Sequence, residues 1–388
     1  MVLGMTALVP FFKAEFDLSP TTASLVVSAA NFGAIISTVV MGAAIDGLGE
    51  RVVVGATMVA MGATTMLVGI LNPQYDHLLL LLVMIGIWYG AVQPGGTKAI
   101  VSWFSPNLRG LAMGIRQAAL PLGGAAAAAV LPTVALAVGW RAAVWAQGLA
   151  GIVGGLSFWI VYRDDVARAV RVRNKPLSGA WKLIPVLLRQ RHLRIVLAIG
   201  VPMVSVQFIV LAHLVMFMTT EMRIPLLTAE WMLAAIQIAG VVGRIALAAA
   251  CDRLWPGRRI HSLLGMMMAC SLALFALAVS PAELPLWIPA LVCVCVGVVG
   301  MGWYTLFLVE VSERAPSSAV ASAVGFALTL NQVAAVIAPP ALGAIAEVSG
   351  SYRFGWAALA FLLVAAALCL FRAVQSADGE SAPAVKCG

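Results

Sequence analysis

Apolar runs of about 20 residues or more follow one another along nearly the whole chain, separated by short turns that hold most of its charge. A helix of that length crosses the roughly 30 Å of hydrocarbon in a bilayer and satisfies its own backbone hydrogen bonds there. The pattern therefore predicts an all-α integral membrane protein. Eleven complete spans are predicted, at residues 21–45, 52–71, 78–102, 110–137, 141–162, 195–219, 227–251, 260–280, 286–309, 317–346 and 354–372.

Composition agrees with this class, since 62% of the residues are hydrophobic and only 10% are charged. Soluble domains are nearer half apolar and a quarter charged. The net charge of +8 does not indicate nucleic-acid binding, because the basic residues lie between spans rather than in a solvated domain. The six Cys and four His show no metal-ligand spacing, and no cleavable signal peptide is evident. We therefore expect no cofactor, no metal and no enzymatic chemistry.

The first apolar stretch, residues 1–12, is too short to complete a twelfth span. It would rise only about 18 Å as a helix. The sequence therefore predicts twelve transmembrane helices, of which the first is cut at its N-terminal end by a late start codon or a truncation.

A basic segment divides the chain into two halves of six spans each. The predicted division is 1–162 for the first half, 163–194 for a linker with nine Lys and Arg residues, 195–372 for the second half and 373–388 for a polar tail. With the linker inside, seventeen of the 24 basic residues lie on the inner side, four lie outside and three lie within spans. This asymmetry predicts cytoplasmic termini in the cell membrane.

The two halves share landmarks at a nearly constant offset. Asp46 to Asp252 is 206 residues, Arg109 to Arg314 is 205, and Pro132 to Pro339 is 207. Because each half has an even number of spans, both copies point the same way. The halves are therefore predicted to be parallel repeats related by an axis along the membrane normal.

The turn after the second span carries the strongest local motif, formed by Gly42, Asp46, Gly49 and Arg51. With the repeat and the basic linker, this motif resembles the major facilitator superfamily over essentially the whole chain. The resemblance implies two six-helix halves that transport a solute by alternating access. A weaker copy comprises Asp252, Arg253, Gly257, Arg258 and Arg259. Gly47 and Glu50 replace two basic residues of the family pattern, which implies a thinner charge network in the first half.

Residues 103–124, together with Gly139-Trp140-Arg141, resemble the cyanate/nitrate-type and organic-anion branches of the superfamily. The drug/proton antiporter pattern Gly-Pro-x-x-Gly-Gly is not matched, because Leu120 precedes Pro121. The sequence therefore favours a carrier for a small organic anion, acting as a monomer with a proton as a candidate coupling ion. Two alternatives stay open: efflux of an amphipathic compound, and a transport-dead membrane sensor.

Ionisable residues within spans are candidates for function, because a charge at a helix centre costs at least roughly 2.5 to 3.5 kcal/mol. Arg116 and Arg244 lie about 10 to 12 Å inside the inner edge and could bind an anion through the guanidinium fork. Lys98 is interpreted as snorkelling to the inner surface. His213 could accept a coupling proton. The remaining candidates for a substrate site are neutral polar side chains: Gln117, Asn31, Tyr89, Gln93, Gln207, Gln237, Tyr304 and Asn331.

Asp46 and Asp252 each lie near the C-terminal end of their own helix, where the macrodipole disfavours a carboxylate. Each should therefore have a partner on another helix. The family resemblance implies that Asp46 faces the start of span eleven near Ser317 and Ser318, and that Asp252 faces Arg109 and Gly110. Such contacts would act as gates. The predicted gating set is Gly42, Asp46, Gly49, Arg51, Arg109, Asp252, Arg253, Arg258, Glu310 and Arg314, with Glu313 beside it.

Overall fold

The computed structural model describes every residue except 1, 19, 72–73, 165–179, 256, 283 and 382–388. The described ranges are α-helical and contain no strand. Their helices are α1 Val2–Ala7, α2 Val9–Glu15, α3 Pro20–Leu48, α4 Glu50–Ile70, α5 Tyr75–Tyr89, α6 Val92–Trp103, α7 Pro106–Val138, α8 Trp140–Val161, α9 Ala180–Arg189, α10 Arg191–Thr220, α11 Leu226–Leu254, α12 Arg259–Val279, α13 Trp287–Arg314, α14 Val320–Ser349 and α15 Tyr352–Ser381.

Eleven segments in the described part of the chain are long and apolar enough to cross a bilayer, which confirms the predicted number of complete spans. They are α3, α4, the pair α5 and α6, α7, α8, and each helix from α10 to α15. The short first stretch forms α1 and α2, which meet at Leu8. That its N-terminal end is cut stays a prediction.

The fourth span, predicted as one helix over 78–102, is divided into α5 and α6 by a turn at Gly90–Ala91. Pro94 provides the physical reason, because it has no N–H to donate to the carbonyl of Gly90 four residues earlier. Gly90 also packs closely against α3, since a Cβ there would lie under 3.0 Å from the Ser37 hydroxyl oxygen. The middle of this span is therefore interrupted.

The end of the predicted linker is helical. Residues 180–189 form α9, and α10 then begins at Arg191, four residues before the expected start of the seventh span. The segment AWKLIPVLLR places its apolar residues at helical spacing, which the strong basic character of the linker concealed. Linker residues 165–179 lie outside the described residues.

The chain clusters into two compact units. Unit 1 comprises Met1–Trp103, Ala119–Pro185 and Ala315–Thr329, and unit 2 comprises Phe104–Ala118, Val186–Arg314 and Leu330–Gly388. Helix α7 thus contributes its first residues to unit 2 and the rest to unit 1, whereas α14 begins in unit 1 and continues in unit 2. Each unit therefore combines residues from both halves of the sequence.

The internal repeat is visible in how glycines pack helices inside each unit. In unit 1, a Cβ on Gly33 or Gly86 would lie under 3.0 Å from the backbone carbonyl oxygen of the facing helix in the α3–α5 pair. In unit 2, Gly243 and Gly297 have the same relation in the α11–α13 pair. The offsets, 33 to 243 and 86 to 297, are 210 and 211 residues. Small residues let the backbones of these helix pairs approach closely.

Each unit also contains a matching Arg–Glu ion pair. These pairs lie at the helix ends opposite to those that carry Asp46 and Asp252. Arg141 Nη2 lies 2.8 Å from Glu15 Oε1 in unit 1, and Arg353 Nε lies 3.2 Å from Glu221 Oε2 in unit 2. The Arg141 guanidinium holds the pKa of the Glu15 carboxyl below its usual range. Both arginines begin the last span of their half, as the sequence offset predicts.

We expect Gly86→Ala and Gly297→Ala each to lower the free energy of unfolding by about 1 to 3 kcal/mol, because the added methyl group must displace a facing backbone. The measurement is thermal unfolding of the purified protein in detergent. Gly123→Ala is the control, since nothing lies within 4 Å of a Cβ at that position. Equal melting temperatures for all three variants would show that these glycines do not set the helix spacing.

Candidate functional site

The carboxylate of Asp46, near the end of α3, binds the N-terminal turn of α14 within unit 1. Its oxygens accept from the backbone N–H groups of Ala321 at 3.2 Å and Ser322 at 2.8 Å, and from the Ser322 hydroxyl at 2.7 Å. These N–H groups belong to the first turn of α14, which leaves them without intrahelical partners. Asp46 therefore meets the start of the eleventh span as expected, but four residues beyond Ser317 and Ser318.

Lys98 is not a snorkelling residue, because its ammonium group lies inside unit 1 between two carboxylates. Its Nζ is 3.3 Å from Asp46 Oδ1, 3.6 Å from Glu50 Oε1 and 3.1 Å from the carbonyl oxygen of Ile45. The Lys98 side chain is only 12% exposed. That the charge network of the first half is thinner than is usual in the family stays a prediction. A basic residue on α6 replaces those missing from the turn.

The other motif residues of this turn have separate contacts in unit 1. A Cβ on Gly42 would lie 2.5 Å from the carbonyl oxygen of Ala321, so only glycine fits there. Gly49 has φ +90°, and a Cβ there would lie 2.7 Å from a carboxylate oxygen of Asp164. The Arg51 guanidinium donates to the carbonyl of Trp159 at 2.7 Å. Arg51 thus fastens this turn to α8.

Asp252, at the end of α11, makes the corresponding contact within unit 2. It accepts from the backbone N–H of Gly110 at 2.8 Å, as the resemblance implied, and pairs with Arg259 Nη2 at 2.8 Å. Arg259 also contacts Glu313, whose other carboxylate oxygen lies 3.2 Å from Arg109 Nη1. A continuous chain of alternating charges therefore connects the ends of α11 and α13 with the starts of α7 and α12.

The remaining gating candidates do not join this network in the described contacts. Arg314 Nε pairs with Glu310 Oε1 at 2.8 Å, one turn apart on α13. Arg253 and Arg258 have exposed side chains and form no ion pair with a described residue. The predicted gating residues are thus of two kinds in the structure: buried residues that connect helices, and exposed arginines.

Arg244 lies within α11, about 15 Å from the end of that helix. Its guanidinium donates to the backbone carbonyls of Met301 at 3.2 Å and Gln117 at 3.4 Å. The Tyr304 side chain is close enough to Arg244 to interact with it electrostatically. No described carboxylate lies within salt-bridge distance of Arg244. Arg116 adjoins Gln117 on α7, where its Nη1 contacts the sulfur of Met113 at 3.7 Å. The guanidinium groups of Arg116 and Arg244 thus come from neighbouring stretches of α7 and α11 in unit 2.

The other polar candidates of unit 2 have different environments. Asn331 is 3% exposed, and neither its amide nitrogen nor its amide oxygen has a hydrogen-bond partner among the described residues. The Oε1 atom of Gln207 is buried and likewise unpartnered there. His213 Nε2 lies 2.9 Å from the carbonyl oxygen of Pro339, so this nitrogen carries the proton. Tyr304 stacks on Phe307, and Gln237 is exposed.

The three candidates in unit 1 lie on α3 and around the interruption of the fourth span. Tyr89 is the last residue of α5, Gln93 is the second residue of α6, and Asn31 lies on α3. All three side chains are half-buried, and each takes part in a hydrogen-bond, ring or electrostatic interaction. Discontinuous helices of this kind are typical of binding sites in transporters.

Sequence reasoning missed the partnership of Lys98 with Asp46 and Glu50. The signal was present in the turn itself, where Gly47 removes a basic residue and Glu50 adds an acidic one. Two buried carboxylates require a cation on a neighbouring helix. The sequence does not reveal which helix faces them, so the position of that cation could not be derived.

Eleven spanning segments in the described part of the chain, an interrupted span and buried ionisable residues are together the features of a multi-pass membrane transporter. Residues 1–339 match the sequence description of the Major Facilitator Superfamily, and the chain belongs to that family.

Two curated relatives match most of the chain. The chain is 24% identical over 362 residues to a probable L-galactonate transporter of Escherichia coli, covering 88% of this chain and 78% of that protein. It is 22% identical over 394 residues to a hexuronate transporter of Bacillus subtilis, covering 96% and 90%. Among solved structures, the Escherichia coli fucose:proton symporter matches with a TM-score of 0.75 at 12% identity, covering 96% and 95%.

We expect Lys98→Met to lower the free energy of unfolding by about 3 to 5 kcal/mol, because it leaves buried carboxylates without their cation. Adding Glu50→Gln should recover part of this loss by removing one of those charges. The measurement is thermal unfolding of the single and double variants, analysed as a double-mutant cycle. A melting temperature of Lys98→Met equal to that of the unaltered protein would contradict this account of the turn.

Proposed function

We propose that this protein is a secondary active transporter that moves a small organic anion by alternating access, in the cell membrane with both termini in the cytoplasm. The observation that carries the proposal is the environment of Arg244, a guanidinium within a spanning helix whose described hydrogen-bond acceptors are neutral carbonyl oxygens. Arg116 adds a second positive charge on the adjacent stretch of α7.

The cost of burying charge supports an anionic ligand. An arginine at the centre of a spanning helix costs at least roughly 2.5 to 3.5 kcal/mol, which two carbonyl contacts offset only in part. A carboxylate would neutralise the charge, and its two oxygens match the planar guanidinium fork. Arg244 therefore retains the capacity to bind an anion while its side chain is already oriented by Met301 and Gln117.

The substrate class that fits best is a sugar acid, a carboxylate that bears several hydroxyl groups. The two curated relatives are named for galactonate and hexuronate, which are both of this kind. Within unit 2, the unpartnered amide atoms of Asn331 and Gln207 would suit hydroxyl groups. Buried polar groups that pair only with the correct ligand discriminate strongly against analogues that lack the matching hydroxyl.

Proton coupling forms part of the proposal, with His213 as the titratable side chain. Its Nε2 donates to the Pro339 carbonyl, so Nδ1 is the ring nitrogen that would accept the proton. Uptake driven by an inwardly directed proton gradient in proteoliposomes tests this element. Equal uptake with and without the gradient would exclude the proton as the driving ion.

We expect Arg244→Gln to reduce kcat/KM for uptake of galactonate or galacturonate by about 10- to 100-fold, as follows from losing a charged hydrogen bond worth about 1.5 to 3 kcal/mol. The measurement is radiolabelled uptake by proteoliposomes. Arg223→Gln is the matched control, since Arg223 is an exposed arginine beyond the end of α10. Unaltered anion uptake by folded Arg244→Gln, or transport of amphipathic compounds alone by the unaltered protein, would overturn the proposal.

Asn331→Leu separates a ligand-binding role from a structural one. Because both amide atoms of Asn331 lack a described partner, we expect the leucine variant to melt at the same temperature or higher, while uptake of the polyhydroxylated anion falls at least about tenfold. Thermal unfolding and proteoliposome uptake are measured on the same preparation. A large loss of stability with proportionate loss of uptake would identify Asn331 as a packing residue.

A further inference from the structure

A groove of about 810 Å³ opens at one end of unit 2, formed by the ends of several helices. His192 lies at the start of α10, Trp255 and Arg258 lie in the turn between α11 and α12, and Arg314 ends α13. By the charge asymmetry of the sequence, this is the predicted cytoplasmic end. We call this feature the basic groove.

The lining of the basic groove carries basic side chains and, among the residues that the structure describes, no carboxylate. Its ionisable members are His192, Arg258, His261 and Arg314. Arg314 uses its Nε edge for Glu310, a carboxylate that is only 4% exposed and does not line the groove. Arg258 forms no ion pair with a described residue. Among the described residues of the lining, Arg258 therefore carries a positive charge that no ion pair neutralises.

Two sets of polar groups in the groove also lack a described hydrogen-bond partner. The buried Nδ1 atom of His192 has no hydrogen-bond partner among the described residues. Helix α12 begins at Arg259 without a side-chain cap, so the N–H groups of its first turn point out of the helix at the positive end of its dipole. A ligand with several anionic oxygens would satisfy the guanidinium, imidazole and backbone donors together.

The rest of the lining is apolar. The apolar lining residues are Leu247, Ile260, Met266 and Val374, together with the exposed indole of Trp255. Aromatic side chains of this kind are enriched at membrane–water interfaces, and basic pockets between helices on the cytoplasmic side suit lipid head groups. The groove thus combines a site for charged oxygens with a surface for a hydrocarbon stem.

We propose that the basic groove binds a phosphate-bearing head group, supplied either by an anionic phospholipid or by a soluble phosphate ester. The site lies on other residues than Arg116 and Arg244, so its ligand is not the transported anion. Occupation would connect the start of α10, the α11–α12 turn and the end of α13 through one phosphate group.

The test uses the delipidated full chain in detergent, with binding followed by native mass spectrometry. One arm titrates phosphatidylglycerol against phosphatidylcholine, and the other titrates glycerol 3-phosphate. We expect Arg258→Gln to weaken binding of the phosphate ligand by about tenfold or more, because it removes a charged hydrogen bond. Arg253→Gln is the matched control. It removes the same charge from the end of α11 at an exposed residue that does not line the groove.

A second variant tests the groove without changing charge. Nothing lies within 4 Å of a Cβ on Gly265, which lines the groove, so we expect the side chain of Gly265→Leu to extend into the groove and fill part of it. Binding of phosphatidylglycerol that is lost in both groove variants identifies a lipid site, and the same loss for glycerol 3-phosphate alone identifies a soluble ligand. If Arg258→Gln and Arg253→Gln weaken both ligands equally, or Gly265→Leu weakens neither, the proposal is wrong.

Discussion

A charge inside a membrane-spanning helix persists only where the protein supplies partners for it, and this constraint organises the chain. Lys98 meets it with Asp46 and Glu50, and Asp46 in turn holds the first turn of α14. Arg244 meets it with two carbonyl oxygens instead. The charge of Lys98 is neutralised by its ionic partners, so this cluster suits a connection between helices. The charge of Arg244 is not neutralised, so this residue suits a binding site.

The fold was predictable because few backbone conformations are stable in the hydrocarbon of a bilayer. The length of the apolar runs predicted the eleven complete spans. The nearly constant offset between matching residues, such as Asp46 and Asp252, predicted the repeat. In the structure, the repeat is visible in the close glycine contacts of the α3–α5 and α11–α13 pairs. The break at Gly90 was within reach, since Pro94 removes a backbone donor. Helix α9 was missed because its apolar residues, although at helical spacing, lie at the end of a basic segment that was interpreted as a linker.

The candidate site was less predictable, because a sequence does not show which helix faces which. Asp252 could be matched with Gly110 from the family resemblance, whereas Lys98 was misinterpreted because its partners lie about 50 residues earlier in the chain. For Asn331, residue type alone predicted a polar side chain in the membrane. Only the packing around it distinguishes an amide with no described partner from one that joins two helices.

The close glycine contacts restrict how this protein can change shape. Where Gly33 and Gly86 bring the α3 and α5 backbones together, the facing backbone leaves no room even for a Cβ, so we expect that sliding one helix past the other would bring backbone atoms into collision. We therefore expect the two helices of each such pair to move together as one rigid body. We expect bending instead at places where the helix is already interrupted and a backbone donor is missing, such as the Gly90–Ala91 turn before Pro94.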